Sequence, residues 1–208
     1  CKSRCPYCHF NTYVRPDIPE ARYSEAILME AALRLCSGRT ASTDATKNSS
    51  RLVSIYFGGG TPSLFSPRAV ERMIRGLLDV EGSDSEPEIT LEMYPEAEAM
   101  AKLEELQSAG VNRFSFGMQS MYEADRKKMW RSRSLDPWTL KAGADRAGAR
   151  SISMDFIYGR PGQTSKAWSD ELREIVGLGL PHLSLYLLSP EDDTPLISLL
   201  ASGRLALP

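Results

Sequence analysis

Three cysteines stand close together at the start of the chain. Cys1, Cys5 and Cys8 have the spacing Cys-x3-Cys-x2-Cys, and thiolates this close in sequence can converge on one metal centre. In a zinc site, His9 or a distant residue would supply the fourth ligand. In an iron–sulfur cubane, three thiolates bind three irons and leave the fourth iron open. The spacing leaves both interpretations open, whereas Cys36 lies alone in a helical stretch and is expected to be a buried, inert thiol.

A glycine-rich segment directly follows the first predicted strand. Residues 56–63 read YFGGGTPS, and glycines at a strand end let the backbone approach a ligand and point N–H groups at it. The segment lacks the Gly-Lys-Ser/Thr ending of a Walker loop, and it does not match the Gly-x-Gly-x-x-Gly nucleotide fingerprint. Considered alone, it is equally compatible with a tight strand-to-loop turn.

The elements that must position these residues alternate between strand and helix. The predicted strands are residues 52–57, 88–93, 112–117, 151–158 and 182–188. The predicted helices are residues 20–35, 67–80, 96–109, 138–147 and 165–178. Such alternation predicts parallel strands joined by right-handed crossovers, either as a doubly wound sheet or as a (β/α) barrel.

Small and polar residues on one face of the predicted strands favour the barrel. They occupy alternate positions, which share a face, and they are Thr90, Glu92, Ser115, Gly117, Ser151, Ser153, Asp155, Ser184 and Tyr186. A strand between two helical layers is apolar on both faces, so a polar face indicates a lumen that holds a ligand. Because barrel chemistry gathers where strands end, Glu92, Gln119 and Asp155 are candidate binding residues. We therefore expect an α/β fold, a partial (β/α) barrel with parallel strands and outer helices.

Together, the cysteine motif and the glycine-rich segment resemble the radical S-adenosylmethionine (SAM) superfamily. The resemblance implies that Cys1, Cys5 and Cys8 hold a [4Fe–4S] cluster and that the methionine part of SAM chelates its open iron. It also implies cleavage of SAM to a 5′-deoxyadenosyl radical. Further segments are similar to the oxygen-independent coproporphyrinogen III oxidase family and its HemW-type haem chaperone branch: ITLE at 89–92, GVNR at 110–113, GMQS at 117–120, DFIYG at 155–159 and PGQT at 161–164.

The same resemblance implies which residues contact SAM. They are Tyr7, Gly59, Gly60, Thr61, Glu92, Gln119, Arg131, Asp155 and, on a less distinctive strand, Ser189. For Glu92 and Asp155, the alternative role is that of satisfied polar groups inside the barrel, although buried carboxylates need partners. For Arg131, which lies in the basic run 126–133, the alternative is a solvent-exposed charge. No catalytic residue is assigned.

Phe10 separates two branches of the family. Coproporphyrinogen oxidases carry an additional cysteine at this position, whereas residues 5–11 here read CPYCHFN and resemble the CPYCDFN run of HemW-like proteins. The resemblance therefore implies a haem chaperone that binds haem and transfers it to an acceptor protein. Oxidative decarboxylation of coproporphyrinogen III to protoporphyrinogen IX is the alternative function, and a zinc-stabilised binding module is a third. Whether the protein is an enzyme thus stays open.

The chain departs from the family pattern at five positions. His9 replaces Asp, Tyr94 replaces Asn, Trp130 replaces Gly, Arg133 replaces His and Arg160 replaces Leu. These changes concern the adenosine side and the substrate cavity, and they leave the cysteines and the glycine-rich segment intact. No haem ligand is named, since neither histidine of the chain lies in a haem-binding motif.

Composition and length bound the partners and the location. The 208 residues carry a formal net charge of −2, which argues against a nucleic-acid partner, and no apolar run reaches the roughly 18 residues of a membrane span. An iron–sulfur cluster indicates a reducing compartment, the cytoplasm or the mitochondrial matrix. Because the chain opens on Cys1, we expect residues 1–208 to be a radical SAM core domain without its N-terminal strand and C-terminal domain, with a polar insertion at about 37–51. The implied partners are haem or a porphyrinogen, an unidentified haem acceptor and an unidentified electron donor.

Overall fold

A computed structural model of the protein describes residues 1–39, 52–81 and 86–208. Within these residues, one parallel sheet contains five strands, β1 (Ser54–Phe57), β2 (Glu88–Met93), β3 (Arg113–Gln119), β4 (Ile152–Tyr158) and β5 (His182–Leu187). Each strand lies beside the next one in sequence, so right-handed crossovers place their helices on the same side of the sheet. A doubly wound sheet reverses its strand order, and this sheet does not. The predicted partial (β/α) barrel is confirmed.

The helices of the described residues are α1 (Glu20–Arg39), α2 (Pro67–Glu81), α3 (Ala97–Met100), α4 (Leu103–Ser108), α5 (Glu123–Lys128), α6 (Pro137–Arg146), α7 (Ser165–Gly177) and α8 (Pro195–Ala201). A short 3-10 turn, Pro62–Leu64, follows the glycine-rich segment. Ser66 caps the start of α2, because its Oγ accepts the N–H of Ala69 at 3.2 Å. Glu20 at the start of α1 accepts from the Ser66 N–H and hydroxyl at 2.7 and 2.6 Å, which joins the two helices.

The hydrophobic core lies between these helices and one face of the sheet. The outward residues of β2 and β4, which are fully or almost fully buried, are Ile89, Leu91, Met93, Ile152, Met154 and Phe156. They pack against buried residues of the helices, among them Val70, Leu106, Leu140 and Ile175. Helices therefore cover the apolar faces of β2 and β4, and the polar faces of these two strands line the lumen.

The predicted and the observed helices differ in three places. The single helix predicted over residues 96–109 is wrong, because the Lys102 N–H donates to Ala99 three residues earlier, and the segment divides into α3 and α4. Helices α5 and α8 were not predicted. Most of the polar insertion predicted at about 37–51 lies outside the described residues, as does the side chain of Cys36.

Candidate functional site

A cavity of about 570 Å³ occupies the polar side of the sheet. All twelve residues predicted to hold the cluster or SAM line it: Cys1, Cys5, Tyr7, Cys8, Gly59, Gly60, Thr61, Glu92, Gln119, Arg131, Asp155 and Ser189. They come from separate parts of the chain. They meet here because the carboxyl ends of parallel strands lie at one edge of a sheet. The structure therefore brings the predicted set together, while the role of each residue stays a prediction.

The cysteine loop is held in place by hydrogen bonds within the loop and to α8. The Cys8 N–H donates to the Cys5 carbonyl at 3.2 Å, and the Pro6 carbonyl accepts the N–H of Leu196 at the start of α8 at 2.8 Å. The Arg4 guanidinium donates to the Cys8 carbonyl at 3.1 and 3.3 Å. These bonds close the loop on itself and attach it to α8. They therefore fix the backbone of the loop that carries the three cysteines beside the cavity.

Two donors reach the cysteine sulfurs from distant elements. The Thr61 hydroxyl donates to Cys1 Sγ at 3.1 Å, and Arg131 Nη1 lies 3.5 Å from Cys5 Sγ. Two of the three cysteine sulfurs therefore have a polar donor beside them. Tyr7 packs against the small apolar cluster of Met129, Ile157, Leu188 and Leu196. Burial raises the pKa of Tyr7, so its hydroxyl stays protonated beside the thiols.

The glycine-rich segment and Glu92 form one unit at the ends of β1 and β2. Gly59 has φ 105°, a conformation that favours glycine, and its N–H donates to Glu92 Oε2 at 3.1 Å. The Tyr56 hydroxyl donates to Glu92 Oε1 at 2.9 Å. Burial raises the pKa of Glu92, and the negative charge of the nearby Asp155 raises it further. The two hydrogen bonds from Tyr56 and Gly59 lower it in part.

Asp155 is the second carboxylate of the lumen. Ser115 Oγ lies 3.3 and 3.4 Å from its two oxygens, and the Ser153 hydroxyl donates to Ser115 at 3.0 Å. Burial raises the pKa of Asp155, opposed by hydrogen bonds from Ser184 and Ser115. Glu92 and Asp155 thus give the cavity two carboxylates whose charged forms are disfavoured by burial.

Arg131 is not a solvent-exposed charge of the basic run. It is 8% exposed, its Nη2 donates to the Gly117 carbonyl, and its guanidinium lies 4.4 Å from the ring centroid of Tyr94. Its Nε is buried and has no hydrogen-bond partner among the described residues. Arg131 is therefore a buried cation in the wall of the cavity, with one donor unsatisfied.

Gln119 ends β3 in a strained conformation. The register of β3 against β4 shifts between Gly117 and Gln119, and Gln119 has φ 72°, which costs a residue with a Cβ about 1–2 kcal/mol. An ideal Cβ built on Gly117 would lie 2.9 Å from Gln119 Nε2 and 3.3 Å from Arg131 Nη2. The absent side chain at Gly117 therefore makes room for both of these polar groups.

The donor set fits a cluster better than a single ion. Among the described residues, no group of three or more His, Cys, Asp or Glu side chains is placed to hold one metal ion. A cubane does not require such convergence, because each cysteine binds a different iron. His9, the fourth ligand considered for zinc, contacts Asp193 through Nδ1 at 2.6 Å on the exposed rim. Three thiols with a hydroxyl and a guanidinium directed at their sulfurs are suitable ligands for a cluster.

Two cavity residues received no role from the sequence. Tyr56 contacts Glu92, and Arg113 donates to Thr90 Oγ1 at 3.2 Å and to Ser153 Oγ at 3.5 Å. The alternation of residues along the strands would have predicted that both side chains face the lumen. Tyr56 pairs in register with Thr90, and Arg113 precedes Ser115 by two positions on the same face.

Comparison with known proteins agrees with this geometry. A family model described as the radical SAM superfamily matches residues 1–175. The mitochondrial radical S-adenosyl methionine domain-containing protein 1 of Bos taurus is 33% identical over 211 residues, which span 100% of this chain and 45% of the relative. The heme chaperone HemW of Escherichia coli is 32% identical over 200 residues, 93% of this chain and 50% of the relative. The chain thus spans about half the length of these curated relatives.

A solved structure supports the fold. Coproporphyrinogen III oxidase (HemN) from Escherichia coli, a radical SAM enzyme, superposes with a TM-score of 0.73 over 100% of this chain and 46% of that protein. At 24% sequence identity this likeness shows the fold alone. The family model covers most of the chain, and membership implies a [4Fe–4S] cluster and SAM. The predicted resemblance to the radical SAM superfamily is confirmed, and a HemW protein is among the similar relatives. The chain belongs to the radical SAM superfamily.

Proposed function

We propose that this chain is the cluster- and SAM-binding core of a HemW-like haem chaperone. One observation carries the proposal: a single cavity holds three cysteine thiols together with the carboxylates and the guanidinium expected to contact SAM. The HemW relative supports the chaperone branch, since it is 32% identical over 93% of this chain. When bound, the cluster and SAM supply a reductively generated 5′-deoxyadenosyl radical.

The cavity residues suit the charges that SAM carries. Glu92 and Asp155 place negative charge where the ammonium and sulfonium groups would be stabilised, and the positive charge of Arg131 suits the carboxylate. Thr61 and Arg131 direct donors at the cysteine sulfurs. The apolar cluster around Tyr7 and Leu188 excludes water from one side.

Phe10 supports haem delivery over decarboxylation. It lines the cavity and is 66% exposed, at the position where the family's oxidases carry an additional cysteine. A large exposed apolar ring there is suited to contact with a flat apolar ligand and offers no thiol for chemistry. Haem, a haem-acceptor protein and an electron donor are therefore the proposed partners.

The proposed location is the cytoplasm or the mitochondrion. The name of the Bos taurus relative gives a mitochondrial location for that protein, and an iron–sulfur cluster needs a reducing compartment. In the part of the chain that the structure describes, no helix has both the length and the apolar character needed to cross a membrane.

The test uses the full-length protein reconstituted anaerobically with iron and sulfide. We expect about four irons per chain, saturable SAM binding by equilibrium dialysis, stoichiometric haem binding in an absorbance titration, and no conversion of coproporphyrinogen III. Conversion to protoporphyrinogen IX would replace the chaperone with the oxidase, which is the second candidate because HemN shares the fold. One zinc per chain without sulfide would establish the zinc-stabilised module instead.

A further inference from the structure

A buried ionic cluster lies behind the cavity wall, at the ends of β3 and β4. Its central pair is Arg160, 2% exposed, and Glu171 of α7, which is fully buried. Arg160 Nη2 donates to Glu171 Oε2 and, at 3.1 Å, to Asp125 Oδ2 of α5. None of these three residues lines the cavity.

Glu171 is fully satisfied by the residues around it. Its Oε1 accepts the Ser120 hydroxyl at 2.7 Å and the Met121 N–H at 2.9 Å, and its Oε2 accepts Gln163 Nε2 at 3.1 Å as well as Arg160. A buried ion pair adds little net stability, since desolvation offsets the attraction, and its best-supported role is to specify one arrangement of the groups around it. The question is therefore which arrangement this cluster fixes.

Arg160 reaches the backbone of a predicted SAM-contacting residue. Its Nη1 donates to the Gln119 carbonyl at 3.0 Å and also to the Ile157 carbonyl. Gln119 is the residue with φ 72° at the shift of strand register. A left-handed conformation outside glycine persists only where neighbouring contacts hold it, and the Arg160 bond is directed at that peptide group.

The cluster also holds the segment that leads from Gln119 to Arg131. Asp125 belongs to α5, and Arg126 Nη1 donates to the Ser120 and Met121 carbonyls at 3.0 and 2.6 Å. The Arg131 N–H in turn donates to the Arg126 carbonyl at 2.8 Å. The Gln119 end of this segment is therefore attached to Arg160 directly, and the Arg131 end is attached to α5, whose Asp125 contacts Arg160.

We propose that Arg160 is a positioning residue, which orients Gln119, and through α5 also Arg131, for binding SAM. The inference rests on the proposed function, because it assumes that these two side chains contact SAM. It goes beyond that function because it assigns a role to Arg160, Glu171 and Asp125, which do not line the cavity.

The test removes the charges without leaving one of them unpaired. Arg160→Met combined with Glu171→Gln keeps an unbranched side chain at the first position and an amide oxygen for Ser120 and Met121 at the second. Asp125 keeps Lys128, 3.2 Å away, as a partner. The control is Lys166→Met with Asp170→Asn, an exposed pair at 2.6 Å on the same helix α7.

In the full-length reconstituted protein, we expect the Arg160/Glu171 double variant to keep its iron content and its melting temperature close to those of the wild type. Its SAM affinity should fall about tenfold, since a hydrogen bond from a charged donor is lost, and the effect of SAM on the EPR spectrum of the reduced cluster should weaken. In a Gln119→Ala background, the same two substitutions should lower SAM affinity by a smaller factor than in the wild type, because only the route through Arg131 remains.

The outcomes separate this inference from the proposed function. The positioning role alone would be overturned if the Arg160/Glu171 double variant bound SAM as tightly as the wild type. It would also be overturned if the two substitutions lowered SAM affinity by the same factor in the wild-type and the Gln119→Ala backgrounds. Failure of the wild-type protein to bind SAM would overturn the proposed function and, with it, this inference. A loss in the exposed control pair equal to that of the Arg160/Glu171 double variant would also reject a specific role.

Discussion

The Glu92 carboxylate accepts the backbone N–H of Gly59 at 3.1 Å, across the ends of two neighbouring strands. The glycine-rich loop after β1 and the carboxylate on β2 are therefore one structural unit. The Thr61 hydroxyl extends this unit to Cys1 Sγ. Predicted cluster ligands and predicted SAM contacts are thus linked through a short chain of hydrogen bonds, and substitutions in this chain should have separable effects.

Loss of any one of the three motif cysteines should abolish cluster assembly. Cys5→Ser and Cys8→Ser each remove a thiolate from a set that has no fourth cysteine in the loop. Reconstituted wild-type protein should hold about four irons per chain, and the variants should hold almost none, measured by iron and sulfide analysis. Cys36→Ser is the control and should retain the cluster. Full iron content in Cys8→Ser would contradict the assignment.

Removal of the Thr61 hydroxyl should make the cluster harder to reduce. Hydrogen bonds to cluster sulfurs help set the potential, and Thr61→Val deletes the donor to Cys1 Sγ at nearly constant volume. A lost bond of about 1 kcal/mol corresponds to about 40 mV, in the negative direction. Redox titration followed by EPR measures it. Thr12→Val is the control, because Thr12 lines the same cavity and its hydroxyl has no partner among the described residues. Equal shifts in both variants would refute the prediction.

Glu92→Gln and Asp155→Asn should weaken SAM binding and stabilise the ligand-free protein at neutral pH. Burial raises the pKa of both carboxyls, so the folded state binds more protons than the unfolded state. The wild type then loses stability as the pH rises from the ordinary pKa values through the raised ones, and each variant avoids part of that loss. SAM affinity should fall by about tenfold for each lost charge.

Melting curves of the ligand-free protein from about pH 4 to pH 8 measure the stability effect. Glu123→Gln is the control of opposite sign, since the hydrogen bond from Lys127 lowers the pKa of Glu123. That variant should lose stability, relative to the wild type, as the pH rises. If Glu92→Gln and Asp155→Asn had the same melting temperature as the wild type at every pH, the raised pKa values would have no effect on stability.

Gly117→Ala should fold and yet bind SAM weakly. The added methyl would meet the far ends of two flexible side chains, Gln119 Nε2 at 2.9 Å and Arg131 Nη2 at 3.3 Å, and no backbone atom within 4 Å. Both side chains can move at small cost, but they leave the cavity wall as they do so. We expect SAM affinity to fall about tenfold or more, by equilibrium dialysis, with little change in melting temperature.

The control for that substitution is Gly177→Ala at the end of α7. The nearest atom outside that helix lies 4.0 Å from the added methyl, and the change should stabilise the helix by about 0.5–1 kcal/mol. SAM affinity should not change. If Gly117→Ala bound SAM as tightly as Gly177→Ala, Gln119 and Arg131 would not be contacts of the ligand.

Much of the fold was predictable from strand alternation, and the failures have local causes. The alternation of Ile89, Leu91 and Met93 with polar residues identified both the core face and the lumen face of β2. The run 96–109 has helical apolar spacing, and its interruption at Lys102 depends on one backbone bond that periodicity does not report. For α8, Thr194 followed by Pro195 and an apolar run is a helix-start signal that was available in the sequence.

The site was predictable where a motif existed, and less so where tertiary contacts decide. Cysteine spacing and the glycine-rich segment identified residues that the structure brings into one cavity. The basic run 126–133 looks like a solvent-exposed surface, yet Arg126 and Arg131 are buried. Arg126 donates to backbone carbonyls, and Arg131 packs on a tyrosine ring. Arg160 is a departure from the family pattern, and only its contacts with Gln119 and Glu171 indicate a role for it.

The sequential order of the strands also has a thermodynamic consequence. The predicted SAM contacts come from β2, from β4, from the loop after β1, from the end of β3 and from the loop after α5, so no single βα unit can bind the ligand alone. A ligand held in this way would couple the units into one cooperative transition. At a concentration 100 times its Kd, it would add about 2.7 kcal/mol to the free energy of unfolding. Supply of SAM would then set how long the cluster-loaded protein survives proteolysis.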